Sequence, residues 1–138
     1  MRRRRRRPSA EPVHVYLDVS GSMNSVREAL YGAILDCRGD VHPVVHLFST
    51  QIAEATLAEL RAGVCRSTGG TDLACVAAHL HRHRIRRALL VTDGWVGTPT
   101  ASVRQVLART RLGVAYAGRS IQTRDLDDVV RRWVHLPT

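Results

Sequence analysis

Five oxygen-bearing side chains stand out in this sequence by type and spacing. Asp18, Ser20 and Ser22 alternate in the run D-V-S-G-S, Thr71 follows two glycines, and Asp93 precedes Gly94. Alternate residues of an extended segment point to one side, so the first three oxygens converge, and Gly21 lets the backbone turn between them. Thr71 falls at an expected helix start, where its hydroxyl can face the same crevice. All five donors are hard oxygens, with no thiolate or imidazole among them. That chemistry suits Mg²⁺, Mn²⁺ or Ca²⁺ rather than Zn²⁺. Two aspartates roughly neutralise a divalent ion and the hydroxyls add no charge. The ion therefore stays electrophilic and seeks a further anion.

These groups need strands and loops to bring them together. Residues 13–17 read as a strand ending at Asp18, and Val26, Ala29, Leu30, Ala33 and Ile34 recur at helical spacing over 24–36. Residues 41–48 read as a second strand, poorly paired or on an edge near Pro43. Residues 51–55 suit a short edge strand, and 57–66 are ambiguous between a helical turn and a loop. A helix is expected over 72–83, with Leu73, Val76, Ala77 and Leu80 on one face. The continuous apolar run at 88–91 suits a strand covered on both sides. Helix at 102–109, strand at 113–117, a short helix at 125–131 and a last short strand at 133–136 complete the pattern. Such alternation predicts an α/β fold: a Rossmann-like, doubly wound, mostly parallel sheet with helices on both faces. Ligands of such sheets bind beyond the carboxyl ends of the strands, where the strand order reverses. Asp18 and Asp93 each follow a predicted strand.

Composition narrows the classes. The 138 residues are one domain's worth, and 44% hydrophobic content suits a globular chain. Aromatics are only 4%, so the core is aliphatic. No apolar run is long enough to span a membrane, and no apolar signal segment opens the chain, so a cytoplasmic location is expected. Residues 1–12 read as a disordered Arg-rich tail and 13–138 as the domain. Arg2 to Arg7 supply six of the formal +9, leaving +3 for the rest. The domain itself is thus a weak nucleic-acid candidate, and RNA or DNA contact is expected only through that tail. Cys37, Cys65 and Cys75 form no C-x-x-C pair and read as reduced, mostly buried thiols.

D-V-S-G-S with Met23, T-G-G-T-D at residues 68–72 and V-T-D-G at 91–94 together resemble the metal-ion-dependent adhesion site of von Willebrand factor A (VWA) domains. Order and spacing match over nearly the whole chain beyond the tail. The G-G-T-D form is most similar to intracellular bacterial members. The resemblance implies that Ser20 and Ser22 bind the metal directly and Thr71 directly or through water. Asp18 and Asp93 would act directly or through bridging waters, leaving one position for a partner's Asp or Glu. Met23, Asn24, Gly70 and Trp95 are the candidate partner contacts. The resemblance also implies an adaptor or subunit of a multi-protein bacterial system, with an AAA-type ATPase as one partner. Many members carry a long helix after the last strand, and its absence here leaves apolar surface for a partner or second copy to cover.

Other readings compete. A Mg²⁺-dependent phosphoryl-transfer hydrolase needs a second carboxylate two residues after the first, and here that residue is Ser20. No His lies in the loop to activate Ser20 or Ser22, so no enzyme is expected. An ordinary strand-to-helix turn with Ser22 as the N-cap needs no metal. Asp72 suits either an orienting role for the Thr71 loop or the positive end of a helix. Trp95 suits either a binding hot spot or a cover over the sheet edge. His79, His81 and His83 read as a solvated helix end, and His14, His42 and His46 as structural.

Overall fold

The apolar alternation of the strands sets the layers. In the computed structural model, which describes residues 12–67, 69–130 and 132–136, Val15 and Leu17 face one side of the sheet and Tyr16 the other. Six strands form one sheet: β1 (His14–Asp18), β2 (Val44–Phe48), β3 (Ile52–Thr56), β4 (Arg87–Thr92), β5 (Arg111–Tyr116) and β6 (Arg132–His135), in the order β3-β2-β1-β4-β5-β6. All neighbours pair in parallel except β2 with β3. Helices α1 (Arg27–Asp36) and α2 (Leu57–Arg61) belong to the Val15/Leu17 side, where Leu30, Ile34 and Leu60 are buried. Helices α3 (Leu73–Arg82) and α4 (Ala101–Arg109) belong to the Tyr16 side, with Val76, Leu80 and Leu107. The expected α/β, Rossmann-like architecture is therefore present. Its order reverses between β1 and β4, the two strands that end at Asp18 and just before Asp93.

Local chemistry explains the element ends. Thr56 and Glu59 form a reciprocal capping box that starts α2, resolving the ambiguous stretch as one short helix followed by loop. Asp72 accepts from Ala74 N at 2.9 Å and caps α3, which gives it a structural task. Thr100 caps α4 in the same way. Three boundaries differ from expectation. The segment after Ser20 opens as a 3-10 turn, Gly21–Met23, before α1 begins at Arg27. Val41 makes only an isolated bridge to Val13, consistent with Pro43 delaying β2. The expected helix at 125–131 shrinks to the 3-10 turn Arg124–Leu126, because Leu126 and Val129 reach the core without a longer helix. The Arg-rich tail lies outside the described residues, except Pro12. Cys37 is exposed, not buried, since it ends α1 in solvent; Cys65 and Cys75 are half-buried, and all three are free.

Five histidines gather on the Tyr16 side, away from the aspartates. His14 stands at the start of β1, and His79 and His83 come from the C-terminal end of α3. His14 Nδ1 and His46 Nε2 share a hydrogen bond of 3.1 Å, and His42 stacks on His14 at a centroid distance of 4.3 Å. His79 bonds the Tyr16 hydroxyl at 2.6 Å and packs on His46 and His83. His79 is thus not a solvated helix-end residue: three positions after Val76, it falls at the margin of the buried face, where Tyr16 offers a partner. His46 is 3% exposed and its Nδ1 has no partner among the described residues. Glu54, opposite it on β3, is exposed.

Burial, together with the neighbouring His79, His14, His42 and His83, holds His46 down at about 3 against an ordinary 6.5. Between those values the unfolded chain binds a proton that the folded chain does not. Stability should therefore fall as pH drops from about 6.5 towards 3, by at most about 1.4 kcal/mol per pH unit from this residue. Urea unfolding at a series of pH values checks this. The pH slope should flatten in His46→Phe, and equal slopes in the two proteins would assign the acid sensitivity to other groups.

Candidate metal centre

At the switch point the backbone itself builds the site. Val19 N donates to Phe48 O at 2.9 Å, which holds the end of β1 against β2 while the chain turns. Asp18 is 1% exposed, and its two oxygens are held from both sides. Oδ1 accepts from Ser20 N at 2.9 Å, and Oδ2 accepts from the Thr92 hydroxyl at 2.6 Å. Thr92 Oγ1 in turn accepts from Gly94 N at 3.1 Å. The side chain of β4 therefore clamps the carboxylate of β1. Burial pushes Asp18 above the ordinary carboxylate range. The Ser20 and Thr92 hydrogen bonds oppose that rise, and the charge of Asp93 adds to it.

Asp93 is 4% exposed and accepts from Trp95 N through Oδ1 at 3.1 Å, while its carbonyl accepts from Gln122 N at 2.9 Å. A Cβ at Gly118 would meet Asp93 Cβ at 3.4 Å, an ordinary van der Waals contact. Ser20 is buried and Ser22 exposed, with their hydroxyl oxygens 3.2 Å apart. Neither hydroxyl caps a helix: the turn at Gly21–Met23 and α1 both start without a side-chain cap. Ser22 and Asp93 line one cavity of about 250 Å³ together with Trp95 and residues after β5. The ion pairs Arg66–Glu59 and Arg104–Asp128 lie elsewhere, and neither aspartate joins an ion pair among the described residues.

Four of the five sequence-selected donors thus converge: Asp18, Ser20, Ser22 and Asp93. Thr71 is half-buried in the loop before α3. That loop docks on the turn after β2 through Asp72 N to Ser49 O at 2.7 Å. No hydrogen bond joins Thr71 to the other four among the described residues, and Thr68 is outside them. The four are hard oxygen donors of the kind a divalent cation takes: two buried carboxylates after neighbouring strands, with the mutually bonded Ser20 and Ser22 hydroxyls beside them.

The candidate contacts divide. Asn24, Gly70 and Trp95 are exposed, Trp95 to 53%. Met23 is a correction: at 1% exposure it packs in the core under α1, because the 3-10 turn rotates it inward, so it offers no surface to a partner. Two contributors escape sequence reasoning. Thr92 lies inside V-T-D-G but carries no sign of its hydrogen bond to a residue 74 positions away. The loop after β5, with Gly118, Arg119 and Ser120, has no chemical motif at all.

The Asp93 loop also depends on Gly94, whose φ is +89° and whose added Cβ would stand 1.8 Å from Gln122 O. Gly94→Ala should cost at least about 2 kcal/mol of stability and displace Asp93. Gly21→Ala, with open space around it, should stay within about 0.5 kcal/mol of the parent. Denaturant unfolding of both variants measures the contrast, and equal costs would show that the close approach to Gln122 is not a constraint.

Comparison with known proteins fits this fold. The crystal structure of an aerotolerance-related membrane protein from Bacteroides fragilis NCTC 9343 with multiple mutations to serines superposes with a TM-score of 0.69 at 10% identity, covering 94% of this chain and 92% of that one. At that identity it shows the shared fold. A comparison with curated proteins gives no match. The sequence model described as VWA domain containing CoxE-like protein matches residues 1–115, most of the chain, and the chain accordingly belongs to that family of VWA domains.

Proposed function

We propose that the chain is a non-catalytic protein-interaction module that holds one Mg²⁺, Mn²⁺ or Ca²⁺ at the β1–β4 switch point and binds an acidic residue of a partner protein through it. The observation that carries this reading is the pair of buried carboxylates, Asp18 and Asp93, without an ion pair to either among the described residues. Two like charges in a low-dielectric site oppose each other, and a divalent cation between them reverses the sign of that interaction. Asp18, Ser20, Ser22, Thr71 and Asp93 would hold the ion, Thr71 by way of the loop that docks on Ser49. When bound, the ion supplies a Lewis-acidic position that takes an anionic oxygen. The protein's own residues supply the rest. Ser20 N and Thr92 fix the Asp18 carboxylate, Trp95 N orients Asp93, and Asn24, Gly70 and Trp95 present exposed contacts around the site.

A hydrolase is disfavoured by the same geometry. The residue two positions after Asp18 is Ser20, which has no carboxylate to act as acid or base. The described histidine array draws on the start of β1 and the end of α3, so no imidazole of it serves Ser20 or Ser22. No helix among the described residues is long and apolar enough to cross a membrane. We read the domain as a cytoplasmic subunit of a multi-protein bacterial system, with an AAA-type ATPase as one partner class.

Adding Mg²⁺ to the metal-free domain should raise its melting temperature by mass action, by about 2.7 kcal/mol of stability at a hundredfold excess over Kd. Replacing Asp18 and Ser20 together with Ala should abolish the response while circular dichroism stays native. An unchanged response would remove the metal from this site. Pull-down from native lysate with Mg²⁺, with EDTA, and with Thr71→Ala tests the partner contact. One partner retained equally in all three would show that the contact does not run through the metal.

A further inference from the structure

Beside the metal centre lies a cleft with chemistry of its own. Its cavity of about 250 Å³ is lined by Ser22, Asp93, Trp95, Arg119 and Ser120 among others. That volume is below the roughly 300–1,000 Å³ of small-molecule sites, so it suits a side chain or two of a partner, not a cofactor. Trp95 is 53% exposed, yet its indole is fixed: Nε1 donates to Ser120 O at 2.9 Å, and its backbone N donates to Asp93 Oδ1. An exposed aromatic already held in place loses little freedom on binding, as the anchors of protein interfaces do. Arg119 is exposed and forms no ion pair among the described residues. Asp93, the acid on the same cavity, is engaged by Trp95 N and is not paired with Arg119. The loop that carries Arg119 is in turn tied to the Asp93 loop by Gln122 N, which donates to Asp93 O.

We propose that Trp95 and Arg119 form a second recognition subsite, which selects partner segments carrying a further acidic side chain beside the one that reaches the metal. The proposal rests on the metal-dependent reading above and adds the partner's chemistry to it. The first carboxylate binds at the ion, past Ser22 and Asp93. The chain then runs along the indole of Trp95, and the second carboxylate pairs with the Arg119 guanidinium. Charge complementarity decides the occupant. A basic second side chain would meet Arg119 with like charge, and an apolar one would leave the guanidinium without a partner. Arginine presents several donors in one plane, which suits a carboxylate better than a single ammonium would. Because the guanidinium is exposed, the gain is that of a surface pair, up to about fivefold in affinity.

The test uses the full chain and two blocked peptides, one with a single Asp among glycines and one with Asp-Gly-Glu in the same frame. Affinities come from amide chemical-shift titrations in Mg²⁺ and in EDTA. In Mg²⁺ the two-acid peptide should bind about three- to fivefold more tightly than the one-acid peptide. Arg119→Gln should remove that preference and leave the one-acid affinity unchanged. Equal binding of the two peptides by the parent protein, equal weakening of both by Arg119→Gln, or no binding of the two-acid peptide in Mg²⁺ would each overturn the subsite. Failure of the metal reading looks different. If EDTA leaves both affinities unchanged while the Arg119-dependent preference persists, the subsite stands and the metal-dependent contact falls. A direct Mg²⁺ titration of Arg119→Gln, expected to match the parent, shows that the variant leaves the ion site intact.

Discussion

The hydrogen bond from the Thr92 hydroxyl to Asp18 Oδ2, at 2.6 Å between two buried groups, is the contact on which the upper end of this domain depends. A carboxylate removed from water is costly unless its oxygens are satisfied. Asp18 meets that requirement with Ser20 N on one oxygen and Thr92 on the other. Since Thr92 ends β4 and Asp18 ends β1, the same bond fixes the relative height of the two central strands. It does so at the one place where the sheet's strand order reverses. The rest of the centre is arranged around that point. Gly94 N bonds the same threonine oxygen, which directs the chain into the Asp93 loop, and Gln122 N ties that loop to the segment after β5.

The fold and the site thus make opposite demands on the same residues. Apolar strand faces drive the sheet together, with Leu17, Leu47 and Leu90 fully buried. Those same strands carry acids to their carboxyl ends, where burial raises Asp18 and Asp93 adds repulsion. Such an arrangement is unfavourable for a bare fold, and an electrophilic ion would relieve it. The match over residues 1–115 shows membership of the VWA family, in keeping with this sheet.

The histidine array at the other end shows a different balance. His46 is buried with an Nδ1 that has no partner among the described residues, packed against the rings of Tyr16 and His79. It gains packing and one hydrogen bond to His14 while staying neutral. The carboxyl ends of the central strands therefore gather negative charge, whereas burial at this end opposes additional positive charge. The two chemistries are kept apart by the length of β1 and by α3, which runs from the Asp72 cap to His83.

By itself the sequence determined the layers and marked the oxygen-bearing residues after the central strands. Period-2 and period-3.6 apolar patterns depend on local geometry, so strands at β1 and β4 and helices such as α3 and α4 were legible. D-V-S-G-S and T-D-G were legible because hard-oxygen ligands are recognisable by residue type, wherever the fold puts them. Boundaries were less so: the inward turn of Met23 and the shortening of the helix near Leu126 follow from how the chain meets the core, not from propensity. Tertiary structure alone decided that Thr92 clamps Asp18, that His79 reaches Tyr16, and that the loop bearing Arg119 lines the same cavity as Ser22. The first two join residues far apart in the chain through a single side-chain contact, and the third only places them on one cavity. Such a contact leaves no periodicity and no motif behind, since only the order of strands in the finished sheet brings its two halves within reach.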